Sequence, residues 1–255
     1  MRKTLATLIL AVMLLFCSNG FAADTRTDFV RKVYNSVALL YGQTEDGGMR
    51  MRCTATAYRV LDKKAGYRFA SASHCVDGDN DTKQKSGRYF ITSDTEGSKT
   101  FIPARLVEAG DRNVGDDFSI FEVKTDLVIE VTPLGDSDKI VIGENVVNVA
   151  SPLGLGKQFF QGYVSSTHLD RPPLDAGEVQ WTNVMLVFIG GGPGSSGSAI
   201  VSEDQKAIVG FLVGSTGGAN IGAICVPVNK FIAFEKAVDA GKYKKTRKEE
   251  DKLPF

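Results

Sequence analysis

The stretch Gly190-Gly191-Gly192-Pro193-Gly194-Ser195-Ser196-Gly197-Ser198-Ala199 separates two runs rich in β-branched residues, Val179–Val187 and Ser198–Val201. Glycines on both sides of a serine let the backbone turn tightly, expose the hydroxyl and aim amide N–H groups into the same space. Working outward, Val146–Ala150 and Phe159–Ser165 precede this turn, and Ile208–Val213 and Ala223–Val228 follow it. A first series of six similar runs lies upstream: Val37–Leu40, Cys53–Val60, Tyr67–Ser71, Arg88–Thr92, Phe101–Val107 and Phe118–Val123. Gly, Asp and Asn clusters separate them, as they separate strands. Six runs plus six predict an all-β chain, either two antiparallel six-stranded barrels or one large sandwich. The polar stretch Thr132–Asp138 is the natural seam.

Two short helices are expected at the margins. Asp28–Tyr34 has an amphipathic pattern with Thr27 or Asp28 as its cap. Asn229–Val238 reads as a closing helix with Asn229 as cap and Gly241 as stop. From Lys242 the chain carries six cationic and three anionic residues and little to bury, so 242–255 is expected to be a solvated tail.

Composition narrows the function classes. The 255 residues hold 30 Lys and Arg against 30 Asp and Glu, so no basic excess points to a nucleic-acid surface. Arg2 and Lys3, an apolar run from Leu5 to Cys17 and the small-x-small exit Gly20-Phe21-Ala22 make a secretory signal. Cleavage is expected after Ala22, with Ala23 as the alternative. The mature chain would then have 28 cationic and 30 anionic side chains, no stable membrane anchor, and a periplasmic or secreted location. Of the four cysteines Cys17 leaves with the signal. Cys53, Cys75 and Cys225 then allow one bridge and one spare thiol in an oxidising compartment. Cys53 and Cys75 lie on adjacent candidate strands, where a bond would contribute roughly 3 kcal/mol. Cys225 sits in an apolar run that suits a buried, inert thiol.

A serine hydroxyl is a weak nucleophile and needs a base beside it. The sequence has two histidines; His74 ends the apolar strand Phe69-Ala70-Ser71-Ala72-Ser73-His74-Cys75, whereas His168 has no motif around it and is expected in a loop. The base in turn needs an acid to fix its tautomer. Asp117 begins the strand Phe118-Ser119-Ile120-Phe121, and its neighbour Asp116 is the rival. Asp77, Asp79 and Asp81 alternate in a manner that suggests calcium, but a solvated acidic loop explains them with fewer assumptions, because the rest of a coordinating set is missing. Two isolated histidines without an HExxH pair argue against a zinc hydrolase. No metal or other cofactor is implied.

Ser-Ala-Ser-His-Cys at 71–75, Asp-Asp-Phe-Ser-Ile-Phe at 116–121 and Gly-Pro-Gly-Ser-Ser-Gly-Ser-Ala at 192–199 occur in the order that resembles trypsin-like serine peptidases of chymotrypsin fold. Further segments resemble the bacterial HtrA/Deg-type branch: Phe29–Val33, Ala150-Ser151-Pro152-Leu153-Gly154, Gln161–Ser165 and Ile221–Asn229. The likeness covers roughly residues 28–238. With the signal read at 1–22 and the seam at Thr132, the expected domains are an N-terminal barrel with its leading helix at 23–131 and a C-terminal barrel with its closing helix at 132–241. The resemblance implies Ser196 as nucleophile, His74 as general base then acid, Asp117 as orienting carboxylate, and the N–H groups of Gly194 and Ser196 as oxyanion hole. Cys53 and Cys75 match the family's bridge, and the substrate is implied to be a protein or peptide.

The departures carry information too. Ser195 stands where digestive members place an Asp that pairs with a freed N-terminus, so activation by that salt bridge is not expected. Ser198 replaces a more usual Gly, and the charged tail is too short for a PDZ-like domain. Gly190 stands where trypsins place an acid, and Val213, Gly214, Ser215 and Gly222 are expected as small, uncharged pocket walls. An uncharged residue before the cleaved bond follows. The competing reading is a catalytically degenerate protease fold used as a binding module.

Overall fold

A computed structural model describes residues 25–61, 66–76, 84–95, 98–171, 181–216 and 222–244. The expected signal and its cleavage site, the Asp77–Asp81 loop and the tail beyond 244 lie outside the described residues. A helix, α1, covers 25–36 and leads into the first barrel. That barrel holds β1 (Val37–Thr44), β2 (Met49–Val60), β3 (Tyr67–Ser71), β4 (Gln84–Thr95), β5 (Ser98–Ala109) and β6 (Ser119–Val123). The second holds β7 (Asn145–Ala150), β8 (Gln158–Arg171), β9 (Trp181–Phe188), β10 (Ala199–Ser202), β11 (Ala207–Ser215) and β12 (Ala223–Pro227), followed by α2 (Val228–Asp239). Each six-stranded antiparallel sheet closes on itself, in the orders β1-β2-β3-β6-β5-β4 and β10-β11-β12-β9-β8-β7. Closure removes the unpaired edges that a sandwich would leave.

Three local expectations are corrected. α1 begins before Thr27 and Asp28, so neither is its cap; Asp28 instead pairs with Arg31 along the helix. The residue capping α2 is Pro227, and Asn229 lies inside the helix. Its amide reaches back to the inter-barrel connection, donating to Asp136 Oδ1 at 2.9 Å. His168 belongs to β8 and not to a loop, with its ring exposed beside Asn183 and Asp170. Gly241 does end α2, at φ +65, a conformation glycine adopts without a Cβ penalty. Beyond it Tyr243 packs edge-on against Phe234 at 4.6 Å, so the tail leaves the body of the protein later than Lys242.

The barrels meet through buried apolar residues, and α2 supplies the wedge. Phe231, fully buried, contacts Tyr58 (5.2 Å between centroids) and Phe118 (5.7 Å) from the first barrel and Phe211 (4.9 Å) from the second. Beside it the buried carboxylate of Glu235 accepts from Tyr58 (2.7 Å), Arg59 (2.7 Å) and Arg68 (3.0 Å), so burial leaves no lone charge. The connection between barrels is stitched to both: Thr132 N–H donates to Ala57 O at 3.0 Å, and Gly135 N–H to Ile208 O at 2.8 Å.

Candidate active site

Strand pairing explains how residues far apart in sequence converge. β3 and β6 are antiparallel neighbours, and Ser71 lies opposite Ser119 at the ends that face the second barrel. One turn of 3₁₀ helix, Ser73–Cys75, continues from β3 and carries His74; Asp117 stands two residues before β6. His74 Nδ1 and Asp117 Oδ2 are therefore 2.8 Å apart, with the carboxylate fully buried. The other oxygen, Oδ1, accepts from the His74 backbone N–H and from the Ser73 hydroxyl, each at 2.9 Å. Arg112 Nε lies 3.7 Å from Oδ2. Burial alone would raise the Asp117 pKa; the hydrogen bonds and charge of His74, with help from Arg112, outweigh it and hold the carboxyl below its ordinary value. Asp116 points elsewhere, 4.0 Å from Lys230 Nζ, and burial pushes its carboxyl up.

Ser196 comes from the second barrel, in the turn between β9 and β10. Gly197 carries φ +83, and a Cβ there would lie 2.3 Å from Ser71 Oγ and 2.5 Å from Thr54 O. Glycine is thus what lets this turn press against the strands of the first barrel. Thr54, next to Cys53 on β2, clamps the same turn. Its N–H donates to Ser196 O (3.0 Å), and its hydroxyl donates to Gly194 O (2.8 Å) and accepts the Ser151 N–H (3.0 Å). Ser195 is fully buried; its hydroxyl accepts the Gly192 N–H at 3.1 Å, so the turn closes on itself with neutral groups. Among the described residues the N–H groups of Gly194 and Ser196 donate to no protein acceptor.

His74 and Ser196 line one cleft of about 590 Å³ without a direct hydrogen bond between them. Such contacts are commonly long before a substrate tightens them. Ser196 also lines a second cavity of about 650 Å³, walled by Gly190, Gly191, Gly192, Leu212, Gly214, Ser215 and Gly222 and free of charged side chains among the described residues. Val213 is not among these walls. β11 is irregular between Leu212 and Gly214, which turns Val213 into the core and Leu212 to the cavity. Cys53 and Cys75 form a disulfide beside His74, with Cα atoms 6.1 Å apart. The cluster of Cys53, His74 and Cys75 therefore offers no pair of free thiolates to a metal. Cys225 is a buried free thiol whose ionisation burial makes difficult.

The trypsin-like peptidase domain family matches residues 59–211, more than half of the chain. The chain belongs to that family. A curated relative, the serine protease Do-like HtrA of Bacillus subtilis (strain 168), is 29% identical over 143 residues, 49% of this chain and 30% of the relative. Two solved structures share the fold: the HtrA-type protease AlgW with a tripeptide (TM-score 0.63, 20% identity, 84% of this chain and 64% of that one) and AlgW with a decapeptide (TM-score 0.65, 15% identity, 85% and 68%). The match thus spans about a third of the length of the curated relative.

Motif reading located His74, Asp117 and Ser196 but missed Thr54, Ser73 and Arg112. Ser73 and Thr54 each adjoin a residue singled out for other reasons, which is the only signal the sequence held for them. Arg112 had none.

Proposed function

We propose that this chain is a serine endopeptidase. The observation that carries the reading is a buried carboxylate hydrogen-bonded to an imidazole that shares a cleft with a serine, in a turn where the N–H groups of Gly194 and Ser196 donate to no acceptor among the described residues. Ser196 Oγ attacks the peptide carbonyl carbon as His74 Nε2 takes its proton. Asp117, holding Nδ1–H, fixes the tautomer and stabilises the imidazolium. The N–H groups of Gly194 and Ser196 stabilise the oxyanion. His74 then gives its proton to the amine nitrogen as the C–N bond breaks. Water, deprotonated by His74, hydrolyses the acyl-serine and restores the hydroxyl. This mechanism is the family's own template, carried onto these positions.

The uncharged cavity beside Ser196 receives the side chain before the cleaved bond, and its size and apolar Leu212 favour an aliphatic or aromatic residue. The peptides bound to the HtrA-type neighbours support a peptide substrate here. The Cys53–Cys75 bond supports export to an oxidising compartment, and no helix among the described residues is long and apolar enough to cross a membrane. The test is covalent labelling with a fluorophosphonate probe, traced by mass spectrometry to the peptide containing Ser196. Label is expected on wild type and absent in Ser196→Ala; a folded wild type that takes none would overturn the assignment.

A further inference from the structure

The cleft that His74 shares with Ser196 has a chemistry of its own. It is distinct from the uncharged cavity, with Gly194 and His74 on its lining in place of Gly190, Gly191 and Gly192, and Pro193 and Ser196 border both. On the reading proposed above, His74 must protonate the departing amine, so the residues that follow the cleaved bond leave along the wall that carries His74. That wall is built largely from β2. A regular strand would turn Arg50 and Arg52 to one face and Met51 to the other. Here the pairing with β1 steps from Leu40↔Cys53 to Tyr41↔Met51, leaving Arg52 as an extra residue. Such a bulge re-aims side chains. Arg50, Met51 and Arg52 all line the cleft, together with Leu153 and Pro193.

Charge and shape then point the same way. Among the described residues no carboxylate lines the cleft, and Arg50 and Arg52 bring two guanidinium groups to it. Arg52 is anchored, donating from Nε to Cys75 O at 3.4 Å. Arg50 is exposed and makes no ion pair among the described residues. Met51 Cε approaches to 3.5 Å of where a Cβ on Gly194 would lie, placing an apolar contact next to Ser196. Leu153, 70% exposed, faces the same space.

We infer that this cleft is a binding subsite for the leaving side of the substrate, selecting peptides with an apolar residue just after the cleaved bond and an acidic residue beyond it. Met51, Leu153 and Pro193 contact the first, and Arg50 and Arg52 attract the second. A partly shielded cleft strengthens such attraction over that of an open surface pair, and salt weakens it.

Internally quenched peptides that differ only in Glu, Gln or Lys at the second position after the bond test the inference. Wild type at low salt is expected to favour Glu over Lys about fivefold in kcat/KM, the ratio shrinking in high salt. Arg50→Glu is expected to bring that ratio to one or below; because the ratio is taken within one preparation, partial misfolding cancels. Anisotropy with the same peptides on Ser196→Ala reads the subsite without turnover. Equal affinity for the Glu and Lys peptides, absence of binding at millimolar peptide, or a ratio unmoved by Arg50→Glu would overturn it. Loss of fluorophosphonate labelling would instead sink the hydrolase reading, while the anisotropy series still judges the subsite.

Discussion

Replacing Gly197 with alanine separates two costs that usually arrive together. The residue has φ +83, and a Cβ would sit 2.3 Å from Ser71 Oγ, 2.5 Å from Thr54 O and 2.7 Å from Ala72 N. Two of those three atoms are backbone, so the clash cannot be relieved by a rotamer change. Gly143 supplies the control: its φ is +85, and an added Cβ would meet nothing within 4 Å. Gly143→Ala should therefore cost only the left-handed conformation, about 1–2 kcal/mol. Gly197→Ala should add overpacking of roughly 1–3 kcal/mol. For a chain of this size each kcal/mol lowers Tm by about 2–4 °C. The Gly197 variant should melt about 2–12 °C below the Gly143 variant. The rate of fluorophosphonate labelling should also drop in Gly197→Ala and hold in Gly143→Ala, because only the former moves Ser196 away from the first barrel. Equal melting temperatures with equal labelling rates would refute the claim that this glycine sets the approach of the two barrels.

Asp117→Asn should lower the rate of peptide hydrolysis by about 10⁴-fold, a magnitude carried over from the family's triad, whereas Asp116→Asn should retain most of it; the reverse order in steady-state kinetics would reassign the carboxylate. Because the Asp117 pKa is depressed in the folded protein, its contribution to stability is present above the unfolded value near 4 and is lost as pH falls through the folded one. The Tm gap between wild type and Asp117→Asn should therefore narrow from pH 6 to pH 3, and a constant gap in calorimetry would contradict this. Phe231→Ala, which removes the ring shared by both barrels, should cost about 3–5 kcal/mol in denaturant unfolding; a loss under 1 kcal/mol would deny the ring its wedging role.

Strand positions were legible because β-branched and aromatic runs alternate with turn residues, and all twelve runs lie within or overlap an observed strand. Ends were harder. β8 runs on through polar, exposed His168 because bulges against β9 let it continue where its own residues show no apolar alternation. Closure into barrels also lay beyond periodicity, which fixes what a strand buries but not which strand it pairs with. At the site, Ser196 and His74 stand in glycine-rich or strand-end contexts that announce themselves. Thr54 does not, because its importance arises from Gly194 and Ser196, 140 or more residues later in the chain. Val213 illustrates a subtler limit: the bulge in β11 shifts inward-outward parity by one, and no property of Val213 itself encodes that shift.

The wedge between the barrels has a consequence for biosynthesis. A ribosome releases both barrels before α2, since that helix follows all twelve strands. Until it emerges, Phe231 cannot bridge Tyr58, Phe118 and Phe211, and the two barrels are joined only by contacts such as those of Thr54 with the Ser196 turn. The packing that α2 brings to both barrels is thus added late, after every strand of each has left the ribosome.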